Sequence, residues 1–117
     1  MDGSRDQGLY SVYENDPDMG DIVVLFVQEM PERIGDLRDA LEAMDYEAVQ
    51  TIAHQLKGAA GGYGFEQLGD IAAVTERTLQ SISSTSSYLD HGAVVAAVTP
   101  LLSACGRVRL SIQQAAA

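Results

Sequence analysis

Apolar residues recur along most of this chain at intervals of three and four, the spacing that lines one face of an α-helix. No stretch alternates convincingly with the two-residue period of a strand. Asp18 is a suitable N-cap for a first helix reaching about Met30. Pro31 then predicts the start of a second helix, since proline at the first helical position forfeits no hydrogen bond. Its stripe is Ile34, Leu37, Leu41 and Met44. Asp45 predicts the cap of a third helix, striped by Val49, Ile52, Ala53, Leu56 and Ala60, which ends in the cluster GGYG. A fourth spans about Glu66 to Ser81, with Leu68, Ile71, Ala72, Thr75 and Leu79 on one side. The serine-rich residues 81–87 read as a loop. Val94, Val98, Leu101, Cys105, Val108 and Ile112 stripe a last helix, in which Pro100 predicts a kink or break.

Short connections between amphipathic helices make sequence neighbours antiparallel. The expected fold is therefore all-α: an up-and-down antiparallel four-helix bundle with an additional N-terminal capping helix. Residues 1–17 read as a flexible N-terminal lead-in, part of which Leu9, Tyr10, Val12 and Tyr13 can pin to the body. The bundle is expected over 18–114 and a C-terminal tail over 115–117. At 117 residues the chain can bury one core but not two.

Composition narrows the setting. The longest apolar run, 22–27, is far too short to span a membrane, and the N-terminus MDGSRDQ holds no apolar signal core. The lone Cys105 can form no internal disulfide and reads as a small core residue. A cytoplasmic location without membrane insertion is the expectation. Net charge is −10, which argues against nucleic acid and anionic lipid, because like charges repel. Thirteen of the seventeen acidic residues fall in the first fifty positions. That half is either a solvated acidic surface or a face that steers basic partners, and salt screening favours the first.

The chemistry gathers on the third helix. With its apolar stripe at zero on a wheel of 100° per residue, His54 falls roughly 140° away and Gln50 roughly 100° away. Lys57, Gly58 and Gly61 fall at roughly 80°, 180° and 120°. His54 thus faces water rather than core. Lys57 stands at i+3, where side chains on one face meet, and its ammonium can neutralise an anion on the ring. Gly58 at i+4 leaves bare backbone where any side chain would overhang the imidazole, at a cost of about 0.8–1.0 kcal/mol relative to alanine. Gly61 extends that strip by one turn. An imidazole near neutrality is a usable nucleophile. The chain has no phosphate-cradling glycine–lysine loop, no Ser/His/Asp set and no Glu-x-x-His pair; position −3 from His54 is Thr51. A donor other than ATP bound by this chain must supply the group that His54 takes. His91 has no such setting and is expected to help start the last helix.

The segment AHQLKGAAGGYGFEQL, residues 53–68, closely resembles the histidine-phosphotransfer domains of multistep two-component phosphorelays. The family pattern is Ala-His-x-Leu-Lys-Gly, then small residues, a Gly, and a Leu opening the next helix; His54, Leu56, Lys57, Gly58, Ala60, Gly64 and Leu68 match it. A weaker likeness extends upstream through LFVQEMPERIGDLRDAL and Asp45, and the whole covers roughly 18–112. The GGYG cluster is richer in glycine than the family pattern. The resemblance implies a phosphoryl carrier rather than an enzyme, relaying the group between receiver-domain aspartates through phospho-His54. Lys57 would stabilise the phosphoryl charge and Gly58 would admit the partner, while Gln50, Gln55 and Gly61 would flank the site. It implies no cofactor on this chain, with Mg²⁺ carried by the receiver. Implied partners are response-regulator receiver domains and, second, a hybrid sensor histidine kinase.

Residues 22–27 are apolar around the whole helix, more than a small bundle can bury. The surplus predicts either a docking patch beside His54 or a surface covered by the lead-in or a second copy. Two readings compete with the carrier. A phosphorylation-silent adaptor would bind receivers without transfer. A hydrolase would use His54 as nucleophile or base, but no orienting carboxylate stands at helical spacing.

Overall fold

Residues expected to form two helices at the start of the bundle form one, α1 (Gly20–Glu42), with Pro31 inside it. The structure, a computed structural model, describes residues 7–85 and 90–111. Ile112, the tail 115–117, residues 1–6 of the lead-in and residues 86–87 of the expected loop lie outside the described residues.

An interior proline costs a helix about 3 kcal/mol. Val23, Phe26, Met30, Leu37, Ala40 and Leu41 lie buried on one side of α1, before and after Pro31. Each large side chain among them contributes about 1.5–3 kcal/mol on burial, so the continuous stripe outweighs the proline. The additional capping helix is thereby corrected: the described residues hold four helices. The expected cap at Asp18 is also corrected: Met19 is the residue before α1 and no side chain caps the helix, while Asp16 Oδ1 accepts from Asp18 N at 2.7 Å and Met19 N at 2.9 Å in the turn that leads into it. Met44, expected in the apolar stripe, lies past the helix end in left-handed backbone (φ 57°) and is exposed.

Asp45 caps α2 (Tyr46–Gly62) as predicted, its carboxylate accepting from Ala48 N at 3.2 Å. Val49, Ala53, Leu56 and Ala60 are buried. The helix closes with Phe65 N donating to Ala60 O, Gly64 N donating to Gly61 O, and Gly64 at φ 85°. This is the six-to-one and five-to-two pairing of a glycine C-cap.

Helix α3 (Glu66–Thr85) buries Leu68, Ala72, Thr75 and Leu79. It runs through residues 81–85, which the sequence marks as loop. Serine is only a modest helix breaker, and extending an existing helix is cheap compared with starting one; Ser84 Oγ bonds back to Ser81 O. Helix α4 (His91–Cys105) is capped by Asp90, which accepts from Gly92 N at 3.0 Å. It continues through Pro100 without a break. Pro100 is exposed, so the missing hydrogen bond faces solvent, while Val94, Val98, Leu101, Ala104 and Cys105 are buried behind it. His91 is the first residue of α4, and its Nδ1 lies 2.7 Å from Tyr46 Oη.

Cross-helix contacts set the relative directions. Phe26, near the start of α1, packs its ring 5.2 Å from that of Tyr63, at the end of α2. A Cβ on Gly69 would lie 3.6 Å from Gly61 N and 3.7 Å from Ala60 Cβ, so the start of α3 lies against the end of α2. The start of α1 therefore meets the end of α2, and the end of α2 meets the start of α3. Of the lead-in, residues 7–17 are strapped to the bundle. Leu9 is buried and bridges Val108, with Leu9 N donating to Arg107 O and Arg109 N to Leu9 O. Val108, expected in the last helix, belongs to this bridge instead. Ser11 Oγ donates to Tyr63 O at 2.5 Å and Val12 N to Gly64 O at 3.0 Å.

Candidate functional site

Leu56 and Ala60 stand four residues apart, just over one turn, on the buried face of α2, and the same pitch of 3.6 residues carries His54 to the outside. The His54 side chain is 67% exposed. Its Nδ1 lies 2.6 Å from Glu76 Oε2, and Lys57 Nζ lies 2.9 Å from Glu76 Oε1. One carboxylate from α3 therefore holds both side chains, and the ammonium sits on the same side of α2 as the ring. The Lys57 ammonium first, and the His54 ring second, hold the Glu76 carboxyl below its ordinary value of 4.5.

Gly58 and Gly61 are exposed, and a Cβ built on either meets nothing within 4 Å. No packing inside the molecule therefore requires glycine at these positions. Gly64 is different: its φ of 85° demands glycine, and so does Ser11 Oγ, which would lie 2.7 Å from any Cβ there. An open groove of about 330 Å³ lies on the N-terminal side of the ring, lined by Glu47, Gln50, Thr51, His54, Glu76 and Gln80. Gln50 thus joins the site, whereas Gln55 is exposed on α2 and does not line the groove. Among the described residues no three His, Cys, Asp or Glu side chains converge as metal ligands, and no helix is long and apolar enough to cross a membrane.

Glu76 is the residue that local sequence spacing missed: no carboxylate stands at helical spacing from His54 on α2, and the one that meets the ring comes from α3. A signal was present. Helices α2 and α3 form a hairpin closing near Gly64 and Phe65, so residues equally far from that turn face each other. Ala60 meets Gly69 by this count, and His54 meets Glu76.

The apolar run 22–27 is also resolved. Val23 and Phe26 are buried, Val24 and Val27 partly so, and only Ile22 (41%) and Leu25 (53%) stay exposed. Val12 and Tyr13 of the strap, exposed as well, lie against Gly64. Phe26 of this run packs on Tyr63 at the end of α2, about 13 Å along the axis from His54. Gly58, Gly61 and Gly62 lie between.

The chain matches the family model described as Hpt domain over residues 21–117. It belongs to the Hpt domain family. Comparisons with curated proteins and with solved structures give no match. Hpt domains perform histidine phosphotransfer in two-component signalling and meet receiver domains and kinases in phosphorelays. In this Hpt domain the match takes in all four helices and both histidines, and the two differ in setting. His91 is half-buried against Tyr46, whereas the His54 ring stands in solvent beside a cation.

Proposed function

We propose that His54 takes a phosphoryl group from the aspartyl phosphate of one receiver domain and passes it to the aspartate of another. A ring nitrogen forms the N–P bond while the acyl-phosphate P–O bond breaks, and its electron pair leaves on the aspartate carboxylate. Transfer onward is the reverse step on a second receiver. The chain acts as a carrier, binds no cofactor, and relies on Mg²⁺ held by the receiver to neutralise the travelling charge. Lys57 adds a compact cation one turn away. The proposed setting is the cytoplasm, with a hybrid sensor histidine kinase as the further partner. The four helices are read as an up-and-down bundle presenting α2.

The observation that carries this reading is the His54 ring, 67% exposed, with a cation on its side and open backbone at Gly58 one turn on. Gln50 and Gly61 border the same approach, and Gln55 lies at its edge. The test is a three-protein relay. Label on a phosphorylated first receiver is expected to reach a second receiver only when this chain is present, and not with His54→Gln. Relay by the His54→Gln protein refutes the proposal.

Glu76 also favours a second reading, since a histidine oriented by a carboxylate is the arrangement of a general base. Turnover of a phosphoester by the isolated chain, lost in His54→Gln, would support hydrolysis; a stoichiometric, stable phosphohistidine supports the carrier.

A further inference from the structure

Helix α4 lacks the charged outer side that a surface helix normally carries. Residues 92–105 include no charged side chain, although 21% of the chain is charged. Val95, Ala96, Thr99 and Pro100 nevertheless face solvent. A helix in water turns a polar stripe outward, and one that is apolar all round is ordinarily covered. Beside this face an open groove of about 440 Å³ runs between α3 and α4. Ile71 and Val74 of α3 flank it on one side, and Ala96, Ala97 and Pro100 of α4 on the other. The polar atoms in the groove are of one kind. Thr75 Oγ1 donates to Ile71 O and Thr78 Oγ1 to Val74 O, both at 2.9 Å, so these hydroxyls turn only lone pairs to the groove. Pro100 has no N–H, so Ala96 O is without its helical donor. Asp70 adds a carboxylate, and no cation pairs with it among the described residues. A lining of acceptors alone calls for an occupant that brings donors, and beside a carboxylate a cationic donor fits best. A second copy of this chain fits poorly, because it brings the same acceptors and a further net charge of −10.

We propose that the α3–α4 groove is a docking site for a cationic amphipathic helix of a partner protein. From Asp70 to Thr78 the groove follows α3 for about 12 Å at 1.5 Å per residue. That length takes apolar side chains at i, i+3 or i+4, and i+7 of a docked helix, a ridge about 10.5 Å long. The small side chains of Ala96 and Ala97 let the ridge settle close to α4, with Ile71 and Val74 against its flank. A Lys or Arg beside the ridge supplies the donor that Asp70 and Ala96 O lack. On a helix wheel, Ile71, Val74, Thr75 and Thr78 centre roughly 150° round α3 from Glu76. Glu76 is the α3 residue that meets His54, so a helix in the groove leaves the imidazole uncovered. The groove therefore serves as a tether that a protein approaching His54 does not compete for.

The test uses the full chain with ¹⁵N in its backbone and, as probe, a short synthetic peptide that forms a leucine–lysine amphipathic helix. The same peptide with glutamate in place of lysine is the control. The lysine peptide is expected to shift the amide signals of Ile71, Val74, Thr78, Ala96 and Ala97, and the glutamate peptide to leave them in place. Val74→Ser, at a site 53% exposed, is expected to weaken binding about tenfold, the scale of one lost aliphatic contact. Asp70→Asn is expected to weaken it about three- to fivefold, as for an exposed ion pair. Asp39→Asn makes the same charge change on the exposed side of α1 and is expected to leave binding unchanged. Absence of binding by the lysine peptide, shifts spread over the acidic residues of α1, or equal losses in Asp70→Asn and Asp39→Asn overturn the proposal. A dimer of the chain alone that Val74→Ser dissolves, or contacts from its own residues 112–117 filling the groove, overturns it as well, since each names a different occupant.

Discussion

Replacing Gly58 by alanine separates what the fold needs from what a partner needs. Gly58 lies well inside α2, is exposed, and a Cβ there meets nothing within 4 Å. Glycine in a helix interior is less favourable than alanine by about 0.8–1.0 kcal/mol, through backbone entropy. The native site offers no clash to offset this gain. Gly58→Ala should therefore stabilise the protein by close to 1 kcal/mol, or about 4 °C in Tm for a domain of this size. The added methyl stands one turn beyond His54, where a receiver must approach within bonding distance. Misplacement of reacting groups by about 1 Å can cost on the order of a hundredfold. Transfer from a phosphorylated receiver should thus fall about tenfold in Gly58→Ala and on the order of a hundredfold in Gly58→Leu. Thermal unfolding followed by circular dichroism gives the first quantity, and initial rates of label transfer the second. A less stable Gly58→Ala protein would show that the fold requires glycine, and a Gly58→Leu protein transferring at the wild-type rate would remove the argument for open backbone.

Gly64→Ala should do the opposite to stability, because φ is 85° and the new Cβ would lie 2.7 Å from Ser11 Oγ and 2.8 Å from Tyr13 Cδ2. A loss of about 1–3 kcal/mol is expected, with faster hydrogen exchange at Val12 N as the strap loosens; unchanged exchange contradicts this. Glu76 has a folded-state pKa below its ordinary 4.5, so its contribution is present above that value and lost as pH falls through the lower one. Wild type should exceed Glu76→Gln by less than about 1 kcal/mol in urea unfolding at pH 7, and the difference should vanish in acid; growth of the difference on acidification refutes the assignment. Burial pushes the Cys105 thiol up to about 11, against a smaller opposing effect of Arg33, so thiol reagents should label it at pH 8 only after unfolding. Prompt labelling of the native protein would contradict that.

The stripes Val49–Ala53–Leu56–Ala60 and Leu68–Ala72–Thr75–Leu79 were legible because a helix wheel needs only local spacing. The same holds for the Asp45 cap, and for the outward placement of His54 with Lys57 at its side, all of which lie within one helix. What local spacing misjudged was decided by packing between elements. Pro31 and the serines after position 80 carry helix-breaking preferences of a few kcal/mol or less, and the buried stripe on α1 and the cheap extension of α3 override them. Glu76 is separated from His54 by 22 residues and meets it only through the register of the α2–α3 hairpin. The exchange of Val108 from helix to bridge likewise depends on Leu9, at the other end of the chain.

The most direct test of the central claim is to locate the phosphate. After incubation with a phosphorylated receiver, the chain should carry one acid-labile, alkali-stable phosphoryl group, recovered on the peptide containing His54 and absent from the His54→Gln protein. Phosphate recovered on His91, on a hydroxyl or carboxylate side chain, or at an undiminished level in His54→Gln would contradict the account.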